Sequence, residues 1–585
     1  METWLAAGGG EPHLARIKIN RAFDLLRNSI SRALLLAGAG FAGILPFLWW
    51  GSPSGHDFEF HLFSWMEVLA QWKSGIVYPR WAALAHWGYG EARFLFYPPA
   101  SWTLGAMLGA VLPWKTVPGA YCWIVLTLAG ASMYRLAREW FLPRDAMFAA
   151  IFYALNPYHL LVVYWRSAYA ELLAAPLLPL LVLCLTQIFS QKPDTRFRPT
   201  LCLTLVLAAA WLTNVPAAVM IHYSAAVLAL LLFSTNGSIA TDRGPRWRGE
   251  HWRGLAQTGI AIVLGAGLVS FYLIPAIYEQ QWIDVSQVLS PGVRPQDNFL
   301  FTPLADPDHN HFNFLVSSVG VVEIGALIFA IVSARRRRVM TTLRTPWLIL
   351  SAWGTGCAIL MLSLSNVLWQ HLPKLRFVQL PFRWLLCMNA ALALLLTMAV
   401  RRWTPRLLAC GLLLAAVLAA GYYFQPPWWD KASDLREMAD AVADGTGYEG
   451  TDEYVPAGVD AYELNKNLAL VSDQTGAPVA AKIMAWAQVE KHFTLHAPTA
   501  ENLTVRLFSY PAWAVVVNGQ LTQTFKTDVT GLLVIPVAAG DNDVQIRFKW
   551  TTDRFVGDLV SLISLVIFVI VWMKTRRGRS RESLA

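Results

Sequence analysis

Residues Ala33–Gly51, ALLLAGAGFAGILPFLWWG, are almost unbroken in apolar side chains and empty into Ser54–Phe63, SGHDFEFHLF. A bilayer core of about 30 Å is crossed by roughly 20 apolar residues in a helix, and the first stretch has that length. The second releases two carboxylates and two histidines within six residues: His56, Asp57, Glu59 and His61. A carboxylate at a bilayer boundary sits in a low dielectric, where it can act as a base or hold a cation. If the stretch is extended, Asp57, Glu59 and His61 share one side. If it is helical, Asp57 and His61 meet at i,i+4. The alternative is a charge cluster that only ends a helix and pairs with Arg80 or Arg93.

The rest of the chain fits the same environment. Of its 585 residues 56% are hydrophobic and 15% charged, too apolar a balance for an ordinary soluble protein. The 27 Trp and 18 Tyr suit interfacial belts. Twelve helical segments are expected, at 33–50, 118–137, 145–163, 171–190, 200–213, 215–233, 255–276, 315–334, 346–367, 382–400, 405–423 and 556–573. The six cysteines lie in apolar segments and form no C-x-x-C pair, so neither a disulfide framework nor a thiolate metal site is indicated.

The net charge of +9 does not point to nucleic acid. The segments 13–32, 135–144, 191–199, 234–254, 335–344, 401–406 and 574–585 hold 28 of the 47 Lys and Arg. The loops between them are poor in both. By the positive-inside rule the basic segments and both termini are cytosolic. The expected organisation is then a cytosolic segment 1–32 and a transmembrane domain 33–423 with a large first outer loop at 51–117. An extracytoplasmic β-rich domain at 424–555, a final helix at 556–573 and a basic cytosolic tail at 574–585 follow. Within the first loop, Ala100–Leu112 is too short to span and is flanked by prolines, so it reads as re-entrant or interfacial. In the C-terminal domain LTVRLFSY, WAVVVNG, QLTQTFK, GLLVIPV and DVQIRFKW read as short strands. Asn518-Gly519 is a hairpin signal, and Val544, Ile546, Phe548 and Trp550 alternate as one buried face.

Several pieces resemble a known family. They are HDFEFHLFSWMEVLAQWKSGIVYPRW, FLFYPPASW, LNPYHLLVVYWRSAYAELLAAPLLPL, VQLPFRWLL, GYEGTDEYVPAG and YPAWAVVVNG. Together they resemble the GT-C superfamily of membrane glycosyltransferases, and within it the bacterial membrane proteins named 6-pyruvoyl-tetrahydropterin synthase-related. The resemblance implies a polytopic helical protein of the bacterial inner membrane. Such a protein would move a sugar from a polyprenyl-phosphate donor to a cell-envelope glycan, lipid or protein acceptor on the outer face. It implies that Asp57, with Glu59 as second candidate, is the catalytic carboxylate, and that Glu171 is a second acidic position. SAYAELL has one carboxylate where the superfamily has a pair, so dependence on a divalent cation (Mg or Mn) is left open. His56, His61 and Glu171 would be its ligands.

A donor phosphate needs cations, and guanidinium groups bind phosphate oxygens in pairs. Arg383, Arg376, Lys374 and Arg166 collect on the face otherwise poor in basic residues. His222 reads as a core histidine. Glu323 lies within a span, where an ionisable group marks function, but the sequence names no partner for it. The cluster Asp306, Asp308, His309 and His311 reads as a solvated turn. No Walker motif and no strand-linked G-x-G-x-x-G turn is present, which excludes the usual nucleotide-binding loops. Two other functions fit the same pattern: a transporter or flippase of lipid-linked saccharide, and a non-catalytic cell-envelope scaffold.

Overall fold

A computed structural model describes residues 29–190, 197–239, 246–336, 343–424 and 429–582. The basic segments at 1–28, 191–196, 240–245 and 337–342 lie outside these residues. The protein is a polytopic helical membrane protein with a C-terminal β-sheet domain. Among the described residues eight helices are long and apolar enough to cross a membrane, and two bent pairs raise this to ten. Span Pro381–Ala399 is buried along its whole length, whereas Thr552–Thr575 is almost entirely exposed at the periphery. The central span is rich in alanine (Ala390, Ala391, Ala393, Ala399), and small residues let neighbouring helices approach closely.

Five expected helices are interrupted: 145–163 breaks at Leu155–Asn156 and 171–190 at Ala175–Pro176, and three others are more strongly altered. The first apolar run is a helix over Ser29–Ala42, a turn, and a short helix Phe47–Trp50. Pro46 lies in that turn and has no N–H to continue the ladder. The segment expected at 255–276 is bent by 74° between Trp252–Leu268 and Ser270–Trp282. The one expected at 346–367 is bent by 92° between Arg344–Leu360 and Ser363–His371. The short helix Pro99–Val111 has 13 residues. At 1.5 Å per residue it is about 20 Å long. It lies against helix Phe58–Lys73, with Gly105 pressed on the Trp65 ring.

The first loop is fastened to the chain that follows the last bundle helix. Strand β1 (Ser52–Pro53) pairs antiparallel with β2 (Trp429–Asp430). Helix Ala432–Ala443 then packs on helix Phe58–Lys73. Arg93 is buried and fully engaged. Its guanidinium donates to Glu91 at 2.5 Å, to Ser64 Oγ at 3.1 Å and to Thr451 Oγ1 at 3.2 Å. Glu67 accepts from Tyr448 O–H and from the Ala83 N–H.

The C-terminal domain consists of two sheets. Its strands are β3 (Val471–Ser472), β4 (Lys482–Trp486), β5 (Glu490–Ala497), β6 (Glu501–Phe508), β7 (Trp513–Val517), β8 (Gln520–Leu521), β9 (Phe525–Lys526), β10 (Leu532–Val537) and β11 (Gly540–Phe548). One sheet runs β3-β6-β10-β9 and the other β4-β5-β11-β7-β8. Leu503, Val505 and Ile535 of the first face Phe493, Val515, Val544 and Ile546 of the second in one apolar core. The β7–β8 turn is Asn518-Gly519, with φ of 52° and 79°. Both angles are positive, as a two-residue hairpin turn of this kind requires. Alternation on β11 stops before Trp550, which is exposed with the Arg80 guanidinium 4.4 Å above its ring. The domain is held to the bundle by Arg554, which grips Glu279 with two hydrogen bonds of 2.8 and 2.9 Å. Tyr510 O–H donates to the same carboxylate at 2.7 Å.

Candidate functional site

Asp57 is the N-cap of helix Phe58–Lys73, and its carboxylate makes no capping bond. Its position is set by a backbone splice with residues 165–167. The Asp57 N–H donates to Arg166 C=O at 2.9 Å, and the Gly55 N–H to Ser167 Oγ at 3.0 Å. Ser167 Oγ in turn donates to Pro53 C=O at 2.8 Å. The two chains approach so closely that a Cβ on Gly55 would lie 2.4 Å from Trp165 C=O. On the partner side, helix Pro157–Leu161 widens into a π turn over Val162–Arg166 and ends at Ser167, left-handed with φ of 48°. That break turns Arg166 back toward Asp57.

The Asp57 carboxylate contacts His56 Nδ1 at 2.9 Å and Arg166 Nη2 at 3.6 Å. Burial opposes its ionisation, but the His56 hydrogen bond and the Arg166 charge outweigh it and hold the carboxyl below the usual range. The helix N-terminus favours the anion as well. The same contact raises the His56 pKa. Asp57 is therefore an ionised carboxylate with about a third of its side chain exposed.

Glu171 is the second centre and is buried. One of its oxygens accepts from Arg166 Nη1 at 2.6 Å and from Arg383 Nε at 3.1 Å; the other accepts from Tyr158 O–H. Arg383 Nη1 donates to Val378 C=O at 2.8 Å and to Gln379 Oε1 at 3.0 Å. Its Nη2 has no protein partner among the described residues. Two guanidinium groups thus share one carboxylate oxygen, and Asp57 lies at ion-pair distance from one of them. An aromatic wall stands beside them: Phe382 lies 5.7 Å from Arg166, and Phe312 packs on both Phe382 and Trp165.

The other candidates take different places. His61 follows Asp57 by one helical turn, its N–H on Asp57 C=O at 3.2 Å. Its ring is buried among Trp65, Tyr97 and Tyr169. Burial lowers its pKa to about 4, so it is neutral. Glu59 is exposed, because the stretch is helical and turns it away from Asp57 and His61. Lys374 and Arg376 are exposed on the loop leading to Arg383, both over the Phe377 ring.

His56, His61 and Glu171 do not fit a metal centre. Among the described residues no group of three or more His, Cys, Asp or Glu is placed to hold one. The Glu171 oxygens are already occupied by three donors, and the His61 ring is enclosed by aromatics. Asp306 caps the backbone N–H of Asp308 and His309, and His309 Nε2 contacts Asn298 Oδ1 at 3.0 Å, so the cluster is the capped start of helix Pro307–Arg336 and not the solvated turn expected from sequence. His222 contacts its own helix at Ala218 C=O.

Arg80 and Arg93 are not partners of Asp57; one packs on Trp550 and the other on Glu91. Glu323 does have partners, Tyr158 N–H and Asn389 Nδ2. Sequence reasoning missed Tyr158 and Gln379, which hold Glu171 and Arg383. Both are common polar residues, and only their contacts single them out.

No family model and no curated protein matches the chain. The solved structures it is similar to include the following three, all at low identity. Arabinofuranosyltransferase AftD from Mycobacteria matches with 15% identity and a TM-score of 0.39 over 67% of this chain and 26% of that one. ArnT from Cupriavidus metallidurans, bound to undecaprenyl phosphate, matches with 16% identity and a TM-score of 0.40 over 73% of this chain and 70% of that one. The Archaeoglobus fulgidus oligosaccharyltransferase, in complex with Zn and sulfate, matches with 14% identity and a TM-score of 0.33 over 72% and 54%. The chain therefore spans about a quarter of AftD's length and about half that of the oligosaccharyltransferase.

Proposed function

We propose that the protein is a membrane glycosyltransferase of the GT-C type, in the 6-pyruvoyl-tetrahydropterin synthase-related group, using a polyprenyl-phosphate sugar. The observation that carries this reading is the contact of ionised Asp57 with Arg166, whose guanidinium shares Glu171 with Arg383. A base and a pair of cations then stand side by side at the end of the bundle that bears the long first loop. The acceptor hydroxyl oxygen attacks the anomeric carbon while Asp57 takes its proton. The bond from that carbon to the phosphate oxygen breaks, and its electron pair leaves with the polyprenyl phosphate. Arg383, through its unengaged Nη2, and Arg166 hold the phosphate as its charge grows. Lys374 and Arg376 draw the anion toward them from the surface. Glu59 stands too far round the helix to share the base role.

The catalytic end faces the outside of a bacterial inner membrane, with the β-domain beside it to meet a cell-envelope acceptor. A cysteine introduced by Asn518→Cys is then reached by an impermeant reagent in intact cells; its protection would invert the topology. Divalent-cation dependence is read from turnover in EDTA; a loss would call for a ligand set other than His56, His61 and Glu171. The decisive test uses purified protein, with undecaprenyl phosphate as binding probe and a polyprenyl-phosphate sugar fraction as donor. Wild-type protein should bind the first and release polyprenyl phosphate from the second, and Arg383→Ala should do neither. Wild-type binding by Arg383→Ala would refute the donor site. Binding without release in every acceptor fraction would favour a carrier of lipid-linked saccharide.

A further inference from the structure

Glu323 is 2% exposed in the middle of span Pro307–Arg336. An acid at that depth is costly unless something there needs it. Its two oxygens reach in two directions. Oε1 accepts the Tyr158 backbone N–H at 3.1 Å, and Oε2 accepts Asn389 Nδ2 at 2.8 Å.

The Tyr158 end closes a gap in the backbone ladder. Helix Pro143–Ala154 stops at Leu155, and a new helix starts at Pro157 with Asn156 as its N-cap. The first N–H groups of any helix lack intrahelical partners. Pro157 has none to satisfy. His159 N–H is taken by Asn156 Oδ1 at 3.0 Å. Tyr158 N–H is left, and Glu323 supplies its acceptor from another helix. The hydroxyl of the same tyrosine donates to Glu171. The Asn389 end holds the helix whose first turn carries Arg383, and Asn389 Nδ2 also donates to Leu385 C=O at 3.0 Å. One carboxylate therefore braces both arms that meet at the arginine pair.

We propose that Glu323 is a positioning residue of the donor-phosphate site, setting Glu171 through Tyr158 and the Arg383 turn through Asn389. This rests on the glycosyltransferase reading, and the experiment separates the two. The full chain, purified in detergent, is titrated with undecaprenyl phosphate. Glu323→Ala strands a buried N–H and should weaken binding by about tenfold. Glu323→Gln should restore it to within about twofold of wild type. Its carbonyl can accept from Tyr158, and the Asn389 Oδ1, which has no partner, can turn to receive the new amide N–H.

Tyr158→Phe removes only the hydroxyl and should also weaken binding. Adding Glu323→Ala to it should cost less than Glu323→Ala costs alone, because the two act in part through one path. Wild-type affinity in Glu323→Ala or in Tyr158→Phe, or fully multiplicative effects of the pair, would overturn the proposal. If Glu323→Ala does not fold, Tyr158→Phe and Glu323→Gln decide it, since equal losses in both would deny the rescue. If Arg383→Ala binds like wild type, the donor-site reading has failed, and with it the phosphate role assigned to Glu323. If Arg383→Ala loses binding and Glu323→Ala does not, only the positioning role has failed.

Discussion

Two sets of buried arginines divide the work of this protein. Arg93 and Arg554 sit where the first loop, the bundle and the β-domain meet, and they are 1% and 0% exposed. Arg554 grips both oxygens of Glu279, which takes no second cation among the described residues, and Arg93 divides its donors among Glu91, Ser64 and Thr451. Arg166 and Arg383 are nearly as buried, yet both lean on a single oxygen of Glu171. The first set is satisfied internally, which fits fasteners. The second faces Glu171 and, through Arg166, Asp57, and leaves Arg383 Nη2 without a protein partner among the described residues. Burial does not distinguish the two sets. The unengaged Arg383 Nη2 does, and it is the ground on which the donor phosphate is proposed to bind there.

The contrast can be broken most forcefully at Asp57. Asp57→Asn keeps the shape and removes the basic oxygen. It should lower turnover by about 10²–10⁴ while leaving undecaprenyl phosphate binding near wild type, as read by single-turnover release of polyprenyl phosphate. Turnover within a few-fold of wild type would return Asp57 to a mere helix end. Arg554→Ala should have its effect on folding instead. It leaves Glu279 buried without its cation, which costs about 3–5 kcal/mol. The melting temperature should fall clearly, while the protein that remains folded binds the probe normally. A loss of binding larger than the loss of folded protein would mean that the fasteners and the anion site are one system.

Arg383→Lys sharpens the contrast further. The charge stays but the planar fork is lost, so probe affinity should drop about tenfold with little change in melting temperature. The smallest effect is expected at Asp430, beside β1. Burial, with the charges of Asp434 and Glu59, pushes its carboxyl from the ordinary 3.8 up to about 6. The folded state then binds a proton that the unfolded state has released. Its contribution is favourable at low pH and is lost as pH rises between 3.8 and about 6. Asp430→Asn should flatten that slope and stabilise the protein above pH 6 by less than about 1 kcal/mol. Denaturant midpoints across the window check it, and an unchanged slope would place the proton elsewhere.

The sequence carried some of these elements plainly. Apolar runs of bilayer length marked the spans, because each such helix satisfies its own backbone and needs no distant partner. Asn518-Gly519 marked its hairpin, because positive φ at both positions is a property of those two residues. Glu171 stood out as a lone carboxylate in apolar surroundings, and Asp57 as one of two carboxylates at the end of an apolar run. Glu59 looked equivalent to Asp57 in the sequence, and only the helical geometry from Phe58 onward turned it to solvent. The break at Gly43–Pro46 was written in a proline but masked by the apolar run around it. The strands Lys482–Trp486 and Glu490–Ala497 were missed, since their outward positions are charged or polar and the apolar alternation is weak.

By itself, then, the sequence determined a membrane-embedded helical chain, a separate β-rich unit near its C-terminal end, and the chemical types available at the loop-bearing end. These follow from local composition and period, which every residue reports independently. The tertiary structure alone decided which charges meet. Asp57 reaches Arg166 across 109 positions because Gly55 lets two backbones touch and Ser167 takes a left-handed turn. Glu171 reaches Arg383 across 212 positions, and Glu323 reaches Tyr158 across 165. Pairings at such separations depend on the packing of whole helices against one another, and no window of sequence contains both partners.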